Sequence, residues 1–159
     1  MAWGLLGKAE KLIDQGETRV AAEILRRGVR EQAKVSPRHL NLLGVCEARL
    51  GHREMARELF MEVLQSRPRD AAALTNMGNL CFLDRDHKAA GDYYTRALRE
   101  NVFLKEPRFN LVSLYQDMGH FDRAMTAYEE YLAIAKANRW VAMACAIIVL
   151  LFLLLVARL

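Results

Sequence analysis

Cysteine is scarce in this chain of 159 residues, which contains only Cys46, Cys81 and Cys145. The first two fall at apolar helix positions and the third lies in a long apolar run, so no disulfide framework is indicated. The sequence also lacks an Asn-x-Ser/Thr sequon, a secretory signal at its start, and the glycine after Met1 that myristoylation requires. These absences favour a protein that faces the cytoplasm.

A large excess of charge of one sign is also missing. The formal net charge is +4 at pH 7, and without Arg139 and Arg158 the first 138 residues hold 21 basic and 19 acidic groups, a balance of +2. Proteins that bind nucleic acid usually present a strongly basic face, so nucleic acid is not a predicted partner.

Motifs for catalysis are absent as well, since nothing resembles a nucleophile elbow, a phosphate-binding glycine loop or a closely spaced Cys/His metal set. His52, His87 and His120 lie in or beside successive predicted turns. Neighbouring helices are about 8–10 Å apart, too far for three imidazoles to share one zinc ion. We therefore predict solvated histidines, no metal, no cofactor and no enzymatic activity, unless another chain completes an active site.

What the sequence does contain is a repeat of 34 residues. Three consecutive blocks, 37–70, 71–104 and 105–138, place residues of similar size at the same block positions. The shared positions are the eighth (Gly44, Gly78, Val112), the twentieth (Ala56, Ala90, Ala124) and the twenty-fourth (Phe60, Tyr94, Tyr128). Small residues let two antiparallel helices approach closely, and the aromatic residue is expected to fill the space between helix pairs.

This pattern resembles the tetratricopeptide repeat (TPR), with departures at Arg85, Val102 and Val112. Residues 1–36 are predicted to form a divergent first repeat, because terminal repeats have one face without a neighbour. The resemblance implies an all-α, right-handed solenoid of about four helix-turn-helix repeats. Helices A and B of each repeat are predicted to meet near Gly16, Gly51, Arg85 and Gly119.

The chain ends in its one long apolar segment. The sixteen residues Val141–Val156 carry no charge, and an apolar span of eighteen residues is about 27 Å long as a helix. We predict that residues 139–159 form a transmembrane tail anchor rather than a buried core helix. The predicted anchor residues are Trp140, Ala142, Ala146, Phe152 and Arg158; the two alanines, four residues apart, suit either close approach of a second membrane helix or simple contact with lipid.

Neither glycine nor proline occurs from His120 onward, so the last helix B is predicted to run without interruption into the anchor. No polar capping helix is present in the sequence. The last repeat is therefore expected to leave a face for lipid headgroups, a partner or a second copy of the chain.

In TPR proteins the A helices line the concave groove, so their exposed residues are the predicted protein-binding set. This set contains Arg38, Asn41, Asn76, Asn79, Phe82, Phe109, Asn110, Ser113, Gln116 and Asp117. Asparagine amides in a row are able to hold the backbone of an extended peptide. The alternatives are that the asparagines satisfy groups between helices and that Phe82 and Phe109 belong to the core. No basic clamp for a C-terminal carboxylate is present in the groove.

These features together predict a non-enzymatic adaptor on the cytoplasmic face of a membrane, acting as an accessory or assembly subunit of a membrane complex. Its expected partners are a protein and membrane lipid, and self-association through the last repeat or the anchor is a further expectation. Two other roles fit the same sequence: a tail-anchored organelle adaptor like the mitochondrial fission proteins, and a bacterial assembly or secretion chaperone.

Overall fold

The computed structural model of the chain describes the backbone of residues 2–31 and 35–156, and the side chains of 4–31, 35–137, 139 and 140. These residues form eight α-helices and no β-strand, as predicted. The helices are α1 (Ala2–Asp14), α2 (Thr18–Glu31), α3 (Pro37–Arg49), α4 (Arg53–Ser66), α5 (Ala71–Leu83), α6 (His87–Glu100), α7 (Glu106–Asp117) and α8 (Phe121–Val156).

Short polar residues start several of these helices. The side chain of Ser36 accepts a hydrogen bond from the His39 amide (3.3 Å), and those of Asp70 and Asp86 accept from the amides of Ala73 and Ala89 (3.0 Å each). An N-cap oxygen satisfies an amide that has no partner within the helix. The caps therefore mark the residues at which α3, α5 and α6 begin.

The turns between paired helices lie at the predicted residues. Gly16, Gly51 and Gly119 have positive φ angles of 82°, 88° and 74°. Arg85 stands at the corresponding residue of the third pair and takes the same left-handed conformation, with φ of 65°. That conformation costs a residue with a Cβ atom about 1–2 kcal/mol, so the turn geometry persists without glycine because the flanking helices impose it.

The described chain forms two compact units, and the first, up to Val102, contains α1–α6. Each helix in this unit packs against the next one, and α3 also contacts α1 and α5. One core cluster joins Leu25 to Leu43 and Cys46, and another joins Phe60 to Met77 and Leu80. The first two helix pairs of this unit thus bury apolar residues against the pair that follows them.

Two glycines allow the helices of a pair to approach closely. A Cβ atom on Gly44 would lie 2.5 Å from Cε1 of Phe60, and one on Gly78 would lie 2.5 Å from Cε1 of Tyr94. Both rings are 1 % exposed. The predicted roles of the small and aromatic residues are confirmed in these two repeats. The prediction is wrong for Tyr128, which is 41 % exposed because no further repeat covers it among the described residues.

The second unit, from Phe103 onward, contains α7 and α8, which pack against each other. The buried residues on α7 are Pro107, Leu111, Val112 and Leu114, and those on α8 are Ala124 and Ala127. Both α8 residues are small, as expected of a helix that approaches its partner closely.

Helix α8 is continuous over 36 residues, from Phe121 to Val156, which confirms the predicted absence of a break after the last repeat. Among the described residues, no helix is long and apolar enough to cross a membrane. Of the predicted anchor residues, Trp140 is 70 % exposed. The side chains of Ala142, Ala146 and Phe152 lie outside the described part of the chain, as does the whole of Arg158.

We predict that Gly44→Ala destabilises the chain by about 1–3 kcal/mol, because the buried ring of Phe60 has no room to move away from the new methyl group. Equilibrium urea unfolding followed by far-ultraviolet circular dichroism measures the effect. Gly7→Ala is the control, since no atom lies within 4 Å of a Cβ atom there. The control should lose no stability, because alanine favours a helix. Equal losses in the two variants would contradict the packing argument.

Candidate binding surfaces

The predicted groove residues of α3 differ in exposure. The side chain of Arg38 is exposed, and its Nη2 lies 2.5 Å from Oε1 of Glu10. Asn41 is only 8 % exposed, and its Nδ2 donates to Oδ1 of Asp70 at 3.2 Å. The expectation that Asn41 is exposed in the groove is therefore wrong: its amide holds the N-terminal cap of α5.

The groove residues predicted on α5 are all half-buried. Oδ1 of Asn79 accepts a hydrogen bond from the Tyr94 hydroxyl at 2.9 Å, so this amide is also occupied within the fold. The ring of Phe82 stacks at a tilt on His87, with 6.1 Å between centroids. Asn76 occupies the same repeat position as Asn110, which is half-buried in the second unit. Two of the four asparagines thus satisfy groups between helices, as the alternative interpretation predicted.

Three of the groove residues predicted on α7 line a cleft of about 380 Å³ between α7 and α8. They are Phe109, Ser113 and Gln116, whereas Asn110 and Asp117 do not contribute to it. The remaining lining residues are Val112, Phe121, Ala124, Met125 and Tyr128. The cleft faces solvent between the two helices of the last repeat.

Large apolar side chains are unusually exposed around this cleft. The exposed fractions are 50 % for Phe109, 72 % for Phe121, 61 % for Met125 and 41 % for Tyr128. We call these four residues the terminal face. Tyr131 supports it, because its ring lies 5.5 Å from that of Phe109 and 6.2 Å from that of Tyr128 between centroids.

Sequence reasoning missed Phe121 and Met125 as surface residues. The available signal was their spacing with Tyr128: apolar residues at i, i+4 and i+7 define one side of a helix. That spacing does not distinguish a buried side from an exposed one. A contiguous exposed apolar surface on a globular protein commonly marks an interaction site.

A buried carboxylate that the sequence did not reveal is Glu47 on α3, which has no exposed surface. Its Oε1 and Oε2 accept from Nε and Nη2 of Arg26 on α2, both at 2.8 Å, and Oε2 lies 2.8 Å from Nδ1 of His52. Burial raises the pKa of the carboxyl, but hydrogen bonds from Arg26 and His52 outweigh burial and hold it below its ordinary value. His52, predicted to be solvated, is therefore bound on one side.

A second set of ion pairs links α4 to the end of α5. Nη1 of Arg53 donates to Oδ1 of Asp84 at 3.2 Å, and Nη2 of Arg57 donates to Oδ2 at 2.5 Å. Asp84 is the residue that follows the last turn of α5. Contacts between consecutive repeats in the first unit therefore combine an apolar centre with polar pairs at the edge.

No group of three side chains suited to a metal ion occurs among the described residues. Burial raises the pKa of the Cys46 thiol to about 11. Burial also raises the pKa of Cys81 despite a hydrogen bond from Arg57. Both thiols are protonated at neutral pH, and neither has the features of an activated nucleophile.

Stacked helical hairpins with close glycine–aromatic contacts define a helical-repeat protein. Models of the tetratricopeptide repeat match residues 6–52, 47–101 and 106–138. Since these matches cover more than half of the chain, it belongs to the TPR family. TPR proteins bind protein partners and are generally non-enzymatic scaffolds. Comparison with curated protein sequences gives no match.

Solved structures with the same fold are similar to this chain at low sequence identity. TTC0263, a TPR protein of Thermus thermophilus, has a TM-score of 0.77 at 19 % identity, covering 84 % of this chain and 74 % of that one. MamA has a TM-score of 0.64 at 23 % identity, and the alignment covers 79 % of this chain and 73 % of that one. PilF of Pseudomonas aeruginosa has a TM-score of 0.73 at 18 % identity, and the alignment covers 84 % of this chain and 60 % of that one. These similarities show the fold alone.

We predict that Glu47→Gln destabilises the chain by about 1–3 kcal/mol at neutral pH, because glutamine cannot form the ion pair with Arg26. The pKa of Glu47 is lowered in the folded state, so its contribution is present above the ordinary carboxyl pKa. That contribution is lost as pH falls through the folded-state value. The difference between wild type and variant should therefore shrink in acid.

Urea unfolding at a series of pH values measures this difference. The control is Glu31→Gln, which removes an exposed ion pair with Arg27 on the surface of α2 and should change stability little. A Glu47→Gln variant as stable as the control at neutral pH would contradict the structural role of the carboxylate.

Proposed function

We propose that the chain is a non-enzymatic, membrane-held TPR adaptor that brings protein partners to a membrane, as an accessory or assembly subunit of a membrane protein complex. The observation that carries the proposal is the continuity of α8. The same helix that forms half of the last repeat extends through residues 141–156, which are uncharged and apolar in sequence. A helix without a break is rigid, so it fixes the distance and orientation of the last repeat relative to the apolar segment.

The sequence around this segment supports a single-pass anchor with the repeats on the cytoplasmic side. Arg139 and Lys136 lie just before the apolar residues, in agreement with the excess of basic residues on the cytoplasmic side of membrane helices. Trp140 is exposed at the boundary, where tryptophan is favoured at the headgroup level. In this proposal Ala142 and Ala146 are available for contact with a second membrane helix.

Two surfaces are proposed for protein partners. In the first unit, exposed Arg38 and half-buried Asn76 and Phe82 remain from the predicted groove after Asn41 and Asn79 are assigned to the fold. In the second unit, Phe109, Ser113 and Gln116 belong to the cleft between α7 and α8. Asn110 and Asp117 lie next to the cleft residues Phe109 and Gln116 in the sequence of α7. Protein recognition is the use to which both surfaces are suited.

Placing a charge within the apolar segment tests the anchor. We predict that Ile148→Arg shifts the chain from the membrane fraction to the supernatant after alkaline extraction, since arginine at the centre of a membrane helix costs about 2.5–3.5 kcal/mol. Ile148→Leu is the matched control and should stay with the membrane. Retention of the arginine variant in the extracted membrane would contradict the anchor.

Breaking α8 between the repeat and the apolar segment tests the adaptor role. Ala137→Pro removes a backbone hydrogen bond within α8 and clashes with the preceding turn. We predict that the variant stays in the membrane but loses the proteins that co-purify with the wild-type chain from native membranes in mild detergent. Ala137→Gln, a good helix former at the same exposed residue, should retain them. Unchanged partners in the proline variant would contradict a role for the rigid connection.

A further inference from the structure

Helices α3 and α5 use the same three repeat positions to contact the repeat before them. Counted back from the positive-φ turn residue, these lie 12, 8 and 5 residues earlier. In α5 they are Ala73, Met77 and Leu80, and in α3 they are His39, Leu43 and Cys46. All six are at most 5 % exposed. The α5 residues pack against the preceding repeat, Met77 and Leu80 on Phe60 and Ala73 on Val63.

The first helix does not follow this rule. The corresponding residues of α1 are Gly4, Lys8 and Lys11, and all three are exposed. Terminal repeats of a solenoid need a polar outer face to remain soluble. The surface that α1 presents at these positions is therefore polar and carries two lysines.

The last helix pair presents an apolar surface instead. In the second repeat, the pair α3/α4 is covered by α5: Asn41 binds Asp70 before α5, Arg53 and Arg57 bind Asp84 after it, and Phe60 is buried between them. In the last repeat, the four residues of the terminal face occupy these same repeat positions. The replacements are Phe109 for Asn41, Phe121 for Arg53, Met125 for Arg57 and Tyr128 for Phe60.

The three polar residues that recognise the ends of α5 are thus apolar in the last repeat. The apolar centre remains, since Tyr128 replaces Phe60, and Val112 and Ala124 line the cleft beneath it. A helix that fits here needs the small and apolar residues of α5 at the same spacing. It does not need an acidic residue at the position of Asp84, because the last repeat has no equivalent of Arg53 or Arg57 to bind it. Nor does it need one at the position of Asp70, because Phe109 replaces Asn41.

We propose that the terminal face binds an amphipathic helix of a partner protein, seated between α7 and α8 as α5 is seated on α3 and α4. The helix carries a small residue and two larger apolar residues at i, i+4 and i+7, and an apolar residue in place of Asp84. This inference rests on the proposed adaptor function and names the kind of partner that one of its surfaces accepts.

A second copy of the chain does not supply such a helix through its exposed first repeat. Its α1 would place Lys8 and Lys11 where α5 places Met77 and Leu80. Two ammonium groups against Phe121 and Met125 would lose hydration without gaining a carboxylate partner. Head-to-tail stacking of copies, which would build open filaments, is therefore disfavoured.

The test uses a synthetic peptide with the sequence of Asp70–Asp84 and the change Asp84→Leu, titrated into the full-length chain in phosphatidylcholine nanodiscs under reducing conditions. We expect saturable binding, with a gain of peptide helicity because a free peptide of this length is mostly unfolded. Met125→Asp should weaken binding at least tenfold. Thr126→Asp is the matched control, since it adds the same charge at an exposed residue outside the cleft, and it should leave binding unchanged.

The unmodified peptide, which keeps Asp84, should bind several-fold more weakly than the Asp84→Leu peptide. Equal binding to the wild-type chain and to Met125→Asp, or no binding at all, would overturn the inference. So would a wild-type homodimer that Met125→Asp dissociates, since a second copy would then cover the face. Quenching of a fluorophore at Phe121→Cys by brominated lipid would assign the face to the membrane and overturn it equally.

The two proposals fail separately. Failure of the peptide to bind leaves membrane retention of the chain, measured with Ile148→Arg, unaffected. Retention of the Ile148→Arg variant in the extracted membrane would overturn the proposed anchor without changing peptide binding to the terminal face.

Discussion

The close contact between an aromatic ring and a glycine backbone is the constraint on which the first unit depends. Phe60 over Gly44 and Tyr94 over Gly78 leave no space for a Cβ atom, so the two helices of each pair lie as near as their backbones allow. The ring of Phe60 is then held at one depth, where its outer side meets α5 of the next repeat. Met77 and Leu80 close over Phe60 in this way, and stability spreads from neighbour to neighbour along the array.

Polar contacts between repeats add selectivity to this apolar packing. Glu47 has no access to water and accepts hydrogen bonds from Arg26 of the preceding repeat, so a neighbour without a donor there would leave a buried charge unpaired. Asp84 plays a comparable part for Arg53 and Arg57 nearer the surface. The exposed surfaces of the first helix and of the last helix pair differ in character: α1 exposes Lys8 and Lys11, whereas α7 and α8 expose the apolar residues of the terminal face.

This difference between the two surfaces determines where a partner binds in the proposed function. The exposed surface of α1 is polar, while the terminal face belongs to the helix pair whose second member, α8, contains the apolar residues 141–156. In the proposed role, a partner bound at the terminal face is held at a fixed distance along α8 from the membrane. The groove of the first unit would then be free for a separate contact.

The 34-residue period, the turn residues and the unbroken α8 were all predictable from the sequence, because they depend on local backbone preferences and on spacing within one repeat. Even Arg85 at a glycine position was placed correctly by the period. Which side chains reach the surface was decided only by the tertiary structure. Asn41 and Asn79 turn to Asp70 and Tyr94, and Glu47 finds Arg26, through contacts between segments far apart in the chain. Tyr94 and Tyr128 occupy the same repeat position and differ in burial from 1 % to 41 %. The position of a residue within its repeat does not encode what covers it; that depends on what packs against the repeat from outside.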